Sequence, residues 1–219
     1  MSVIQIPAGR AVLSGNLTIP ENAAALVLFA HGSGSSRHSP RNQFVARTLN
    51  RSGLGTLLFD LLTPEEEALD LYTREHRFNI GLLAERLVQA TNWATQQEQT
   101  RDLRIGYFGS STGGAAALVA AAQLSQGIGA VVSRGGRPDL AGDALPKVHA
   151  PTLLIVGELD YQVIEMNQDA MNRMEAAQVA ELKIVRGATH LFEEPGTLQE
   201  VERLAGDWFE RHLRARSHP

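Results

Sequence analysis

The sequence predicts an α/β fold: a mostly parallel, eight-stranded sheet with helices on both faces and an antiparallel opening hairpin. Three observations carry this. From residue 24 onward, short apolar runs alternate with helix-length amphipathic runs, the pattern of successive βαβ units. Several of the short runs, such as Ala24 to Ala30, are continuously apolar, as strands covered on both faces must be. The first residues instead alternate apolar and polar side chains on either side of a turn, the mark of a hairpin.

Val3 to Ile6 and Ala11 to Ile19 make that hairpin, with Pro7-Ala8-Gly9 as its turn and Pro20-Glu21-Asn22 as its end. Ala24 to Ala30 is the third strand and runs into a loop of small residues, His31-Gly32-Ser33-Gly34-Ser35-Ser36. A helix over Arg41 to Arg51 follows, starting near Ser39 or Asn42 and stopped by Gly53. Thr56 to Leu62 is a further buried strand. The connection 63–77 is longer than most strand–helix loops and holds Glu65-Glu66-Glu67, a solvated helix start. Phe78 to Gln97 is a helix with Phe78, Leu82, Leu83, Leu87, Ala90 and Trp93 at helical spacing. Strands at Leu103 to Phe108, Ile128 to Ser133, Pro151 to Val156 and Ala180 to Val185 then alternate with helices at Ala115 to Leu124 and Val163 to Ala176. Thr197 to Leu213 is the closing amphipathic helix. No repeat, low-complexity tract or linker interrupts the pattern, so a single domain over 1–219 is expected.

Composition narrows the function. A chain of 219 residues, 43% apolar and 20% charged, can bury an ordinary globular core. A net charge of −4 speaks against a nucleic-acid surface, and the apolar runs are too short to span a membrane. Arginine outnumbers lysine heavily, since Lys147 and Lys183 are the only lysines, which reflects genome composition rather than a phosphate-binding surface. The absence of cysteine excludes disulfides, a thiolate nucleophile and cysteine-ligated metals. Met1 to Gln5 lacks the basic and apolar segments of a signal peptide, so a cytoplasmic protein, monomer or homodimer, is expected.

The chemistry centres on Gly109-Ser110-Ser111-Thr112-Gly113, set between a strand and a helix. This is the G-x-S-x-G layout of a nucleophile elbow. Glycines two before and two after the serine allow the sharp turn, and the helix N-terminus behind it favours negative charge. Ser110 fits the frame less well, because its own flanks would be Phe108 and Thr112. Serine needs a neutral imidazole to take its proton, and the imidazole needs a carboxylate on its other nitrogen. In a parallel sheet such groups stand just after strands. His190 follows the 180–185 strand in Gly187-Ala188-Thr189-His190-Leu191-Phe192, and Asp160 follows the 151–156 strand. Glu158 is the rival acid and Asp60 a weaker one. His31 reads as a structural loop residue bonded to nearby backbone, while His212 and His218 read as solvated tail residues. The N–H groups of Ser33 and Thr112 are the candidates for an oxyanion hole. Gly32, Arg37, Ser110 and Arg134 are candidates for substrate contact. Arg134 either binds a carboxylate or carbonyl of the substrate or pairs with a local acid such as Asp139.

The order Ser111…Asp160…His190, the 109–113 elbow and the His31-Gly32 loop resemble an α/β-hydrolase over essentially the whole chain. The small size resembles the dienelactone-hydrolase-like branch, with serine where that branch often carries cysteine. The resemblance implies the α/β-hydrolase fold and a serine hydrolase that cleaves small carboxylic esters through an acyl-enzyme, with no metal or organic cofactor. Lactone hydrolysis, thioester hydrolysis and acyl transfer use the same machinery, and a non-enzymatic binding protein on this fold is the alternative of a different class. His31 to Arg37 together with Leu58 to Leu62 also resembles hydrolase modules fused to phosphoribosyltransferases; no such second domain is read in this chain. Residues 134–150 are too few for a cap domain. An open site is therefore expected, walled in part by 63–77, with Arg74, His76 and Arg77 overhanging and Tyr72 and Phe78 as apolar wall.

Overall fold

The structure is a computed structural model and describes residues 1–214. Strand β1 (Ser2–Ala8) pairs antiparallel with β2 (Ala11–Thr18), Ala8 opposite Ala11. The turn is therefore only Gly9 and Arg10, tighter than Pro7-Ala8-Gly9. Pro7 stays inside β1 opposite Val12, which an edge strand tolerates because one side of its backbone needs no partner. β2 continues antiparallel against β4 (Gly55–Phe59). From there β3 (Ala25–Ala30), β4, β5 (Arg104–Ser110), β6 (Ile128–Arg134), β7 (Thr152–Gly157) and β8 (Ala180–Val185) are mutually parallel. The sheet order is β1-β2-β4-β3-β5-β6-β7-β8.

Every residue of β3, β4 and β7 is buried, as their unbroken apolar sequences require. Alternation still sorts their side chains between two layers. Leu28, Leu57, Tyr107 and Leu154 face α3 (Ile80–Ala94), α4 (Thr112–Leu124) and α5 (Tyr161–Asn172). Phe29, Phe108, Val132 and Ile155 face α1 (Pro40–Arg51) and α6 (Thr197–Leu213). Among the described residues no helix is long and apolar enough to cross a membrane.

Several boundaries differ from expectation for local reasons. Helix α1 starts at Pro40, with Ser39 accepting from the Asn42 N–H as N-cap. The 63–77 connection is mostly a helix, α2 (Pro64–Thr73), held by a capping box between Thr63 and Glu66. Helix α3 is rotated from the expected stripe. It buries Leu83, Ala84, Leu87, Ala90, Thr91 and Ala94, while Leu82 and Trp93 are half-buried and Phe78 lies outside it, exposed. Arg86 also lies on the buried face, because its guanidinium donates to the Ala8 carbonyl and to Glu66. A 3-10 segment, Pro138–Lys147, fills the link from β6 to β7 where a cap domain would enter. His212 is not a solvated tail residue, since its ring lies 4.4 Å from that of buried Trp208. His218 falls outside the described residues.

Candidate active site

Ser111 stands between β5 and α4 at φ 51°, ψ −121°, a strained backbone for a residue with a Cβ. Neighbouring backbone holds it there. Its N–H donates to the Arg134 carbonyl at 3.3 Å, and its carbonyl accepts from the N–H groups of Gly114 and Arg137 at 3.0 and 3.1 Å. The flanking glycines permit the crossing. A Cβ on Gly109 would lie 2.5 Å from the Gly113 carbonyl oxygen, and one on Gly113 would overlap the Ala30 carbonyl. A Cβ on Gly114 would in turn lie 2.5 Å from Ser133 Oγ, so α4 carries two glycines in its first turn and begins at Thr112, ahead of the alanine run. Ser111 occupies the N-cap position of α4 yet makes no side-chain capping bond, which leaves its hydroxyl for other work.

Asp160 is likewise positioned as the N-cap of α5 without a capping bond. Its Oδ2 instead lies 2.6 Å from Nδ1 of His190, in the loop after β8. The carboxylate side chain is 17% exposed and the imidazole 39%, so the pair is sheltered from below and open above. Asp160 on Nδ1 fixes the tautomer that leaves Nε2 as the proton-accepting nitrogen. The loop carrying His190 is braced on both sides. The Leu159 N–H donates to the Ala188 carbonyl at 2.9 Å, and Thr189 Oγ1 donates to Glu194 at 2.5 Å. Glu158, the rival acid, accepts from the Gly187 N–H at 2.8 Å and so supports the loop rather than the imidazole.

The loop after β3 lies against the turn at Ser110 and Ser111. A Cβ on Gly32 would meet the Ser110 carbonyl and Ser111 Cβ at 3.1 Å, so glycine is what lets the loop approach. Thr112 is the first residue of α4, and its N–H has no carbonyl one turn back to donate to. Ser33 Oγ lies 3.4 Å from Thr112 Oγ1, so the loop after β3 meets the start of α4 at these two residues. His31 ties this loop to the end of β4. Its Nε2 accepts from the Leu61 N–H at 3.0 Å and its Nδ1 donates to the Gly32 carbonyl at 3.0 Å. Burial lowers its pKa below the ordinary histidine value against the opposing pull of Gly32, Asp60 and Glu67, which suits a neutral structural tie.

Two lobes of one cleft meet at Gly32, Ser33 and Ser35. One, of about 650 Å³, holds Ser111, His190, Ser110, Arg41 and Arg134. The other, of about 560 Å³, holds Thr112, Leu61, Leu62, Leu71, Asp70 and Arg77. Arg77 of the 63–77 segment walls this second lobe as expected, but Tyr72 and Phe78 do not line it, and Leu71 is the segment's apolar contribution instead. Arg37 lines neither lobe. Its guanidinium and its N–H are both engaged by Asp60, so it braces the loop, a correction to its place among substrate contacts. Ser110 lines the first lobe, but it is buried and donates to Asn42 Oδ1 at 3.0 Å. Arg134 does not pair with Asp139, which belongs to Arg137 through two bonds of 2.9 and 2.7 Å.

Residues 17–215 match the model of the dienelactone hydrolase family. The chain belongs to that family. A dienelactone hydrolase from Anabaena variabilis is 57% identical to this family member and superimposes with a TM-score of 0.95, over 97% of this chain and 98% of that one. Est1E from Butyrivibrio proteoclasticus, 17% identical over 96% of this chain and 98% of its own, shares the fold with a TM-score of 0.80. Two Mycobacterium tuberculosis proteins, from strains H37Rv and CDC 1551 / Oshkosh, are 56% identical over 96% of this chain and carry the name "Putative phosphoribosyl transferase". This dienelactone hydrolase family member spans about half the length of those two relatives, 46%.

Two residues at the first lobe escape a reading of the sequence: Arg41, which lines it, and Phe192, which lies in the core behind Arg134. Arg41 carries a signal, because a cation in the first turn of a helix opposes the helix dipole and calls for another reason to be there. Phe192 carries none, since an aromatic two residues after a histidine is ordinary core. Only the fold brings its ring under Arg134, 5.7 Å from the guanidinium carbon.

Proposed function

We propose that this protein is a serine hydrolase that cleaves small carboxylic esters through an acyl-enzyme. The observation that carries the reading is the 2.6 Å bond from Asp160 to His190, with the imidazole and Ser111 opening on one lobe of the cleft. Ser111 Oγ attacks the ester carbonyl carbon while His190 Nε2 takes the hydroxyl proton. Negative charge collects on the carbonyl oxygen, where the N–H groups of Ser33 and Thr112 receive it. Loss of one such donor costs about 2.7–4 kcal/mol of transition-state stabilisation. The bond from acyl carbon to alcohol oxygen then breaks, and His190 passes its proton to the departing oxygen. Water repeats the sequence on the acyl-enzyme and releases the acid. Asp160 holds the imidazole and stabilises its charged form throughout.

The open cleft and the short link between β6 and β7 suit small or extended esters rather than long acyl chains. Labelling with a fluorophosphonate probe tests the reading directly. The wild type is expected to label and to hydrolyse phenyl acetate, and Ser111→Ala to do neither. An unlabelled wild type that is also inert towards short phenyl esters would sink the proposal.

A further inference from the structure

Helix α5 buries one stripe of side chains: Val163, Asn167 and Ala170. The middle place of such a stripe suits leucine, and asparagine is a poor choice for it. Asn167 is fully buried, and among the described residues its Oδ1 has no hydrogen-bond partner. Burying a polar atom in that way costs stability that a leucine would not. The other end of the amide shows what it does instead. Nδ2 donates to the Val163 carbonyl, one turn back in α5, at 2.7 Å, and to the Gly136 carbonyl, in the link after β6, at 3.1 Å. Both partners are carbonyl oxygens, so only the nitrogen end of the side chain can face them.

The Gly136 carbonyl leads directly to Ser111. It belongs to the same peptide unit as the Arg137 N–H, and that N–H donates to the Ser111 carbonyl at 3.1 Å. The unit is planar and trans, so its oxygen and its N–H point in opposite directions, and a hold on one end aims the other. The unit before last works alike. The Arg134 carbonyl accepts from the Ser111 N–H at 3.3 Å, and the Gly135 N–H on its far side donates to the Ile155 carbonyl of β7 at 2.7 Å. Both backbone groups of Ser111 thus meet peptide units whose other ends are anchored, one on β7 and one on α5. Asp160 stands between β7 and α5, so the same two elements carry the proposed acid.

The link is poorly equipped to fix itself. Gly135 and Gly136 lack the side chains that restrain a peptide unit from turning over. Both places call for glycine. A Cβ on Gly136 would lie 1.9 Å from Ser133 Oγ, and Gly135, at φ 52°, would bring one to 3.3 Å from the His190 carbonyl. A donor from outside has to hold the 136–137 unit, and Asn167 supplies it. We infer that Asn167 is a positioning residue: by holding the Gly136–Arg137 peptide unit it keeps the Ser111 carbonyl, and with it the strained turn, in the geometry that presents Oγ to the cleft. Asn167 itself lines neither lobe and acts through Ser111. The inference rests on the serine hydrolase reading above.

The test replaces Asn167 with leucine, which keeps the volume and the apolar stripe and removes the donor. Asn167→Leu is expected to lower kcat for phenyl acetate about tenfold to a hundredfold, as a misplaced nucleophile does, with KM within about twofold. The rate of fluorophosphonate labelling is expected to fall by the same factor. The pH midpoint of labelling is expected to stay at its wild-type value, because the bond between Asp160 and His190 is untouched. Asn167→Ser isolates the bond that matters: its short hydroxyl can return to the Val163 carbonyl but does not reach Gly136, so it is expected to lose activity in the same way. A merely structural asparagine would lower Tm and leave kcat and the labelling rate of the folded protein at wild-type values, and that result would overturn the inference. So would a loss carried by KM or a shifted pH midpoint, which would put the damage at substrate binding or at Asp160. Should neither variant fold, amide hydrogen exchange of the wild type decides. The Arg137 N–H is expected to exchange as slowly as that of Val131 in the sheet, and exchange at the rate of an exposed loop overturns the inference. An unlabelled wild type removes the hydrolase reading, whereas a labelled wild type matched by an equally fast Asn167→Leu removes this inference alone.

Discussion

At the scale of single residues, Asp160 and Glu158 are separated by one position in the chain and by their partners in space. Asp160 meets the imidazole, and Glu158 accepts from the Gly187 backbone on the exposed side of the same loop. Asp160→Asn keeps the shape but offers Nδ1 an amide, so the wrong tautomer competes and the imidazolium loses its counter-charge. Turnover is expected to fall about a thousandfold to ten-thousandfold, with labelling slowed in step. Glu158→Gln keeps an acceptor for Gly187 and is expected to stay close to wild type. A comparable loss from Glu158→Gln alone would reassign the acid. These side chains were legible in the sequence because each follows an apolar run at the carboxyl end of a strand. Arg37 misled for the same reason: the position was right, but Asp60 at the end of a neighbouring strand had a prior claim on its guanidinium.

At the scale of elements, α2 is the unusual piece. Its apolar side chains Leu69, Leu71 and Tyr72 are 52%, 68% and 89% exposed, so burial does little to hold it. Polar bonds do instead. Glu66 caps the helix and pairs with Arg86, while buried Asp70 accepts from the His76 and Arg77 N–H groups and from the Arg77 guanidinium. Burial alone would push the Asp70 carboxyl up, but those bonds outweigh it and hold its pKa below the usual carboxylate range. The anchor is accordingly present at neutral pH and persists as pH falls until the carboxyl protonates, below the value of a free aspartate. Asp70→Ala is expected to loosen this wall. KM for a bulky acyl ester such as phenyl benzoate should rise about threefold to tenfold, with the labelling rate of a small fluorophosphonate unchanged. An unchanged KM would show that the wall does not touch substrate. A helix held this way leaves no apolar stripe, so the sequence showed a long connection with an acidic helix start. The strands β3 and β7, buried on both faces, announced themselves within a residue.

At the scale of the whole molecule, the order of strands brings together groups that the chain keeps far apart. The fold class, the hairpin and the order Ser111, Asp160, His190 could be read in one dimension because each depends on local pattern. The gathering of Arg41 and Arg134 beside Ser111, with Phe192 behind Arg134, could not. It depends on α1, β6 and the loop after β8 meeting, and nothing in the spacing of Arg41, Arg134 and Phe192 encodes that. The strained turn has a consequence for how such a molecule can change. Ser111 and Ser125, at opposite ends of α4, hold nearly the same angles, φ 51°, ψ −121° and φ 50°, ψ −112°. Glycine occupies that region freely, so either serine replaced by glycine is expected to raise Tm by about 2–4 °C, the strain relieved exceeding the entropy added to the unfolded chain. A thermal melt of each variant checks this, and no rise in either would mean that the angles carry no net penalty. Only one of the two changes is open to a lineage under selection for heat tolerance. At 125 the gain is free, whereas on the proposed mechanism the same change at 111 removes the nucleophile, so the strained residue at the head of α4 is the one that adaptation is expected to leave alone.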